Sequence, residues 1–220
     1  MKKKYKLIVV DDHHLFRAGI IALLSDLDYI EVVAEAKDGI DFLDFLKYNE
    51  VDIALMDIRM PRMDGVEATQ TAMEKYPDLK IIALSMFGEE QYYYSMIDAG
   101  VKGFILKEQS SAEELEQALK LVISGQTFFS QALLHNIILK ISHDKKAKEN
   151  VKVDDAKLSG RELQILEHIC SGASNSEIAD ELCISIRTVE RHRSNLLTKT
   201  GAKNSVNLVM YAIKNKLIDI

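Results

Sequence analysis

Short apolar runs alternate with amphipathic stretches through the first 125 residues. The runs at 6–10, 30–35, 51–56, 80–84 and 102–106 are rich in Val, Ile and Leu, the composition of strands buried on both faces. The stretches at 14–27, 40–48, 65–76, 89–99 and 111–124 repeat apolar residues at helical spacing. Asp64 with Glu67, and Ser111 with Glu114, have the spacing of capping boxes. Five βα units predict a parallel sheet covered on both faces by right-handed crossovers. A further apolar helix is expected over 127–140. From 142 to 155 the chain turns charged and loses its period, which marks a linker. Beyond 157 strand signals stop. Helix patterns follow at 160–172, 175–182, 187–200 and 205–214, with capping boxes at Ser159/Glu162 and Ser174/Glu177, and Ser185 as an N-cap. The expected architecture is an α/β domain over 1–125, a helical, charged linker over 126–156 and a smaller all-α domain over 157–220.

The 220 residues suffice for two ordinary domains, and 47% apolar with 28% charged residues is the balance of a soluble globular protein. The net charge of −6 makes no overall case for nucleic acid, but its distribution is uneven. Residues 151–220 hold ten Lys/Arg against nine Asp/Glu, and 187–203 hold five basic groups against Glu190 alone. Cys170 and Cys183 lack metal-ligand spacing and lie in apolar patterns, so both are expected to be buried free thiols in a reducing compartment. The basic start, Lys2-Lys3-Lys4, precedes an apolar run too short for a signal peptide, and no run reaches the length of a membrane span. A cytoplasmic location is expected.

The chemistry gathers where the apolar runs stop. The run ending at Val10 meets Asp11 and Asp12, the third run meets Asp57, the fourth Ser85 and the fifth Lys107. In a parallel sheet such ends share one edge, which is where ligands bind. Three carboxylates beside one ammonium are costly unless a cation and a transferred anion complete them. Magnesium accepts a few carboxylates, keeps waters and takes phosphate oxygens; manganese is a possible substitute. Asp12 and Asp57 are the expected direct ligands, Asp11 a direct or water-mediated one, and the backbone carbonyl of Arg59 a third protein ligand. Asp57 is the expected phosphoacceptor, with Lys107 and Ser85 stabilising the phosphoryl oxygens. His13 and His14 read as a helix start. Phe104 reads either as core or as a residue that changes rotamer with Ser85. Of Tyr92, Tyr93 and Tyr94, one is expected to pack inward.

In the second domain, two helices joined by 183–186 have the proportions of a helix-turn-helix. With Val189 and Leu196 inward, Arg187, Thr188, Glu190, Arg191, Ser194 and Asn195 point outward as base-edge readers, while Arg193, Lys199 and Lys203 are expected on the DNA backbone. Val206, Met210 and Ile213 form a stripe that serves either the small core or pairing with a second copy.

Taken with Val9-Val10-Asp11-Asp12-His13, Met56-Asp57 through Pro61 to Gly65, Ala83-Leu84-Ser85 and Gly103-Phe104 to Lys107, the first half resembles the receiver domain of two-component response regulators. Leu158-Ser159-Gly160-Arg161-Glu162, Ile178-Ala179 and the segment from Ser185 to Lys199 resemble the LuxR-type helix-turn-helix; the pair is similar to the NarL/FixJ class. The resemblance implies a flavodoxin-like, doubly wound five-stranded sheet of order 2-1-3-4-5 and a four-helix DNA reader. It also implies a sensor histidine kinase as phosphoryl donor, double-stranded promoter DNA as target and a homodimer when phosphorylated or DNA-bound. Ser85 and Phe104 match its switch positions. Gly160 stands where that class commonly has Pro, and Glu108 where many receivers place Pro after the lysine. Two other readings compete: a phosphatase using Asp57 as nucleophile, against which Arg59 occupies the place of a general acid, and a receiver acting on a protein partner. The expectation is a signalling protein and not an enzyme.

Overall fold

The computed structural model describes residues 4–86, 90–108, 111–129, 158–171, 173–215 and 217–218, with backbone alone for 90, 91, 213 and 214. The chain divides into two compact units, Met1–Phe129 and Ser130–Ile220.

In the first unit the strands are β1 (Tyr5–Val10), β2 (Ile30–Ala36), β3 (Ile53–Asp57), β4 (Lys80–Ser85) and β5 (Gly103–Leu106), interleaved with α1 (His14–Ser25), α2 (Gly39–Leu46), α3 (Gly65–Lys75), α4 (Glu90–Ala99) and α5 (Ala112–Ile123). All pairings are parallel, and the order is β2-β1-β3-β4-β5. Period-two alternation splits each strand between two cores. Leu7, Val9, Ile53, Leu55, Ile82, Leu84 and Ile105 pack with Leu24, Leu115, Leu119 and Val122 of α1 and α5. Ile8, Val10, Ala54, Met56, Ile81 and Ala83 are equally buried and face the side that carries α2 and α3. Each fully buried aliphatic side chain contributes roughly 2 kcal/mol, which is why these runs read as continuous and not alternating.

The third strand begins two residues later than its apolar run. The Asp52 carboxylate accepts from the Lys6 N–H at 2.8 Å, and the Asp52 N–H donates to the Lys6 carbonyl at 2.9 Å. The strand also extends to include Asp57, which pairs with Leu84. The helix expected from residue 127 does not start there. Phe128 forms a parallel bridge with Gly103, its N–H donating to the Lys102 carbonyl at 2.9 Å and its carbonyl accepting from the Phe104 N–H at 2.8 Å. The open edge of β5 offers those backbone groups, and an extended segment satisfies them where a helix would not. The remainder of that expected helix, and the linker over 142–155, lie outside the described residues.

Asp64 caps α3 by accepting from the Glu67 N–H, and Gly65 then begins the helix against the end of β3. Its N–H donates to the Ile58 carbonyl at 2.8 Å, and a Cβ at this position would stand 2.0 Å from the Asp57 carbonyl oxygen. The turn therefore needs glycine for close approach. We expect Gly65→Ala to cost about 3 kcal/mol, read as a lowered unfolding midpoint; an unchanged midpoint would contradict the packing.

The second unit contains α6 (Gly160–Cys170), α7 (Asn175–Glu181), α8 (Ile186–Thr200) and α9 (Ser205–Lys214). Ser159/Glu162 and Ser174/Glu177 form complete capping boxes, and Ser185 caps α8 by accepting from the Thr188 N–H. Gly201, at φ 69°, ends α8 in the left-handed conformation. Ile165, Leu166, Ile178, Val189 and Leu196 form the small core with Val206, Leu208, Val209 and Met210.

Candidate functional site

The sheet register brings the charged strand ends together. Val10 pairs with Met56, so Asp11 follows beside Asp57; Ser85 pairs with Leu106, so Lys107 follows beside them. The Lys107 Nζ lies 2.7 Å from an oxygen of Asp11 and 2.7 Å from an oxygen of Asp57. All three side chains are at least 96% buried. Asp11 also accepts from the His13 N–H at 2.7 Å, and Asp57 from the Ile58 N–H at 2.9 Å. The ring of Phe16 lies 4.8 Å from the Lys107 ammonium, a cation–π contact that walls the site on the α1 side. Arg17 donates to the Asp11 carbonyl at 2.6 Å and to Glu35 at 2.8 Å, which anchors the β1–α1 turn. Asp12 is the solvent-facing member, with the His13 Nδ1 2.8 Å from its carboxylate. His13 thus does two things: it is the N-cap residue of α1 and it sits within the acidic cluster.

Ligand atoms of Asp11, Asp12, His13 and Asp57 all lie within 4.8 Å of one another. Three carboxylates offset by one ammonium leave a charge of −2 at the strand edge, which a divalent cation balances. The oxygen donors suit a hard ion better than zinc. The residues present therefore fit a divalent metal.

Ser85 is buried at the end of β4, and its hydroxyl donates to the Met86 carbonyl at 3.1 Å. Phe104 is buried and meets Tyr93 of α4 edge-on, with ring centroids 5.1 Å apart. Tyr93 is the inward member of the tyrosine trio; Tyr92 and Tyr94 are half-buried. Arg59 is exposed, two residues beyond Asp57. Among the described residues no peptide bond is cis, so Lys107 is joined to Glu108 in trans.

Two neighbours escaped the sequence reading. Asp38 is fully buried, caps α2 and binds the Arg62 guanidinium. Its position before Gly39 and an amphipathic run was a usable capping signal. Arg62 carried none, because a positive φ is not expected at arginine.

In the second unit α7, a tight turn through Cys183 at φ 52° and α8 form a helix-turn-helix. Arg187, Glu190, Arg191, Ser194 and Asn195 are exposed along α8, as is Lys203 beyond it. Thr188 is half-buried, its hydroxyl 2.8 Å from that of the Ser185 cap. Two basic residues expected on DNA also have partners inside the unit. Arg193 donates to Asn175 at 2.8 Å and to Ser205 at 2.7 Å, tying α8 to the starts of α7 and α9; its burial pushes the guanidinium pKa down. Lys199 reaches back to Glu162 at 2.8 Å. Of the two uses left open for the stripe on α9, Val206 and Met210 serve the small core. Val206 is 1% and Met210 5% exposed, because this small core takes them together with Leu208, Val209 and Ala212 of α9; the Ile213 side chain lies outside the described residues. Cys170 is half-buried, with its thiol pushed up to about 12 by burial, but Cys183 is exposed and not buried as expected.

The Lys199 ammonium, followed by the Ser159 N–H and hydroxyl, holds the Glu162 carboxyl down at about 2. A depressed acid stabilises the folded unit at pH values above its ordinary range, and that stabilisation is lost as pH falls towards 2. We expect a loss on the order of 2 kcal/mol between about pH 4.5 and about pH 2. It should be visible in the amide signals of α6 and α8 in the full chain and absent in Glu162→Gln.

Sequence and structure comparisons agree with this arrangement. Residues 7–120 match the response regulator receiver domain, and residues 156–212 match the LuxR family of bacterial regulatory proteins. The oxygen regulatory protein NreC of Staphylococcus aureus is 35% identical over 216 residues, covering 97% of this chain and 99% of NreC. The crystal structure of the response regulator ChrA of a heme-sensing two-component system superposes with a TM-score of 0.52 at 27% identity, covering 98% of this chain and 99% of ChrA. RcsB from Salmonella enterica serovar Typhimurium, bound to a promoter in the presence of the phosphomimetic BeF3−, superposes with a TM-score of 0.55 at 25% identity, covering 94% and 98%. No helix among the described residues is long and apolar enough to cross a membrane. With a receiver-type acidic edge in one unit and a helix-turn-helix in the other, the chain belongs to the NarL-family response regulators, transcriptional regulators of two-component systems that join a receiver domain to a LuxR-type DNA-binding domain.

Proposed function

We propose that Asp57 accepts a phosphoryl group from a sensor histidine kinase and that the modified chain binds promoter DNA through α8. The observation that carries this reading is the Lys107 ammonium held between Asp11 and Asp57 at 2.7 Å from each. An Asp57 oxygen attacks phosphorus as the bond to the leaving nitrogen of the kinase histidine breaks. Lys107 then shifts its charge to the new phosphoryl oxygens, and Ser85 turns its hydroxyl from the Met86 carbonyl to one of them. Magnesium, or manganese in its place, would be held by Asp11, Asp12, Asp57 and the backbone carbonyl of Arg59, supplying positive charge to the transferring oxygens. Redirecting Ser85 disturbs the β4 end, and Phe104 is coupled to α4 through Tyr93, so the added charge has a packed route to that helix.

On the DNA side, Arg187, Glu190, Arg191, Ser194 and Asn195 are the base-edge candidates, and Lys203 a phosphate contact. Arg193 and Lys199 act within the domain. Residues 1–125 form the receiver, 126–156 the linker and 157–220 the DNA reader. The protein works in the cytoplasm as a homodimer on paired half-sites, storing a signal on Asp57 and not turning over a substrate.

The test is promoter binding by the full chain with and without acetyl phosphate and magnesium. Phosphorylation should tighten it about ten-fold, within the usual coupling range. Arg191→Ala should weaken it by about 1–3 kcal/mol. Binding that ignores both treatments, or is insensitive to salt, would defeat the reading.

A further inference from the structure

The segment joining β3 to α3, residues 58–64, carries the Arg59 carbonyl and is held at an unusual point. Arg62 has φ 62°, and across it the Met63 N–H donates to the Pro61 carbonyl at 2.7 Å. A three-residue turn with positive φ at its centre is the less favourable hand, and arginine has no intrinsic reason to adopt it. The neighbouring β2–α2 turn restrains it. Asp38, 0% exposed, uses one oxygen to accept from the Ile40 and Asp41 N–H groups at 3.0 Å each and turns the other to the Arg62 guanidinium. Asp41 takes a second Arg62 nitrogen at 2.7 Å, and the Gly39 N–H donates to the Met63 carbonyl at 3.1 Å. Burial pushes the Asp38 carboxyl up, but the hydrogen bonds from Asp41, Arg62 and Ile40 outweigh it and keep the group ionised. A Cβ at Gly39 would stand 2.6 Å from Met63 Cγ, so the two turns are in direct contact.

We propose that Asp38 and Arg62 are positioning residues for the divalent-metal site: their ion pair holds Arg62 in the strained turn, which sets the place of the Arg59 carbonyl beside Asp57. Neither residue touches the metal or the phosphoryl group. The inference rests on the functional reading above. It assigns the affinity for magnesium partly to a carboxylate that supplies no ligand. Asp38→Asn keeps an oxygen for the α2 cap but removes the charge that restrains Arg62. Arg62→Gly, in contrast, places at residue 62 the one amino acid that adopts positive φ without help.

The experiment measures magnesium affinity of the full chain by isothermal titration calorimetry, alongside labelling by acetyl phosphate. Asp38→Asn should weaken magnesium binding about ten-fold, and Asp38→Asn/Arg62→Gly should recover most of that loss. Arg62→Gly also returns the net charge that Asp38→Asn changes, so Asp38→Asn/Arg62→Ala is the control: it carries the same charge as the glycine double variant but gains no ease at positive φ. Rescue by glycine and not by alanine separates positioning through the turn from electrostatics, and equal rescue by both would overturn the inference. Wild-type affinity in Asp38→Asn would overturn the inference, as would a glycine double variant that binds no better than Asp38→Asn while unfolding at the same temperature. If wild type itself neither bound magnesium nor became labelled, the underlying functional reading would fail first.

Discussion

Asp57→Asn should take up no phosphoryl group from acetyl phosphate and magnesium, while the wild-type chain is labelled once. The amide keeps the shape of the side chain and can still accept from the Ile58 N–H that now meets an Asp57 oxygen at 2.9 Å. It lacks the nucleophilic charge, and among the described residues no other carboxylate is placed like Asp57. Asp11 is fully buried and fixed by the His13 N–H, and Asp12 lies on the solvent side. The loss should therefore be complete, not graded. Genome-wide DNA occupancy should fall to that of unphosphorylated wild type, by about ten-fold at regulated promoters. Intact-mass measurement after labelling and chromatin occupancy of both proteins decide it. Labelling of Asp57→Asn at Asp11 or Asp12, or occupancy equal to that of phosphorylated wild type, would remove phosphorylation of Asp57 as the switch.

Lys107→Ala should be the most destabilising change at the site in metal-free buffer. Its ammonium lies between two buried carboxylates, 2.7 Å from each. Removing one partner of a buried ion pair costs about 3–5 kcal/mol, because the remaining charge stays desolvated and unpaired. Here two like charges remain, so we expect the upper part of that range. A cation that binds the same carboxylates offsets the loss. At a concentration 100 times its dissociation constant, magnesium should restore about 2.7 kcal/mol. Denaturant unfolding with and without magnesium measures both terms. A metal-free variant as stable as wild type, or one indifferent to magnesium, would mean that the Asp11 and Asp57 charges are not held together by Lys107. Restored stability should not bring back normal phosphoryl transfer, since the group that follows the charge to the phosphoryl oxygens is gone.

Much of the site was legible before the fold was known, for a simple reason. Strands buried on both faces exclude charge, so Asp11, Asp57 and Lys107 stood out as the points where apolar runs stop, and parallel pairing then puts such points on one edge. Ser85 was reachable by the same argument; Phe104, inside β5, was not set apart from the core by it. The second layer was not. Asp38 and Arg62 are 24 residues apart in sequence, and neither alters the local hydrophobic period. Phe128 continued an apolar stretch, and only the open edge of β5 explains why it is extended. On α8, helical spacing separates inward from outward positions but says nothing of where a long side chain ends. The Arg193 guanidinium folds back to Asn175 and Ser205, and the Lys199 ammonium to Glu162. Position on the wheel alone placed both on DNA.

By itself the sequence determined the class of each domain, the order of elements, the helix starts at Ser159, Ser174 and Ser185, and the ionisable residues at which the buried strands stop. These depend on local periodicity, capping and the cost of burying charge, all written in neighbouring positions. Tertiary structure decided which charges pair, that Lys107 bridges Asp11 and Asp57, that Val206 and Met210 close a core, and that Asp38 restrains Arg62. Those outcomes depend on distances between segments remote in the chain. Such distances arise only when packing selects one arrangement of side chains that each had several partners within reach.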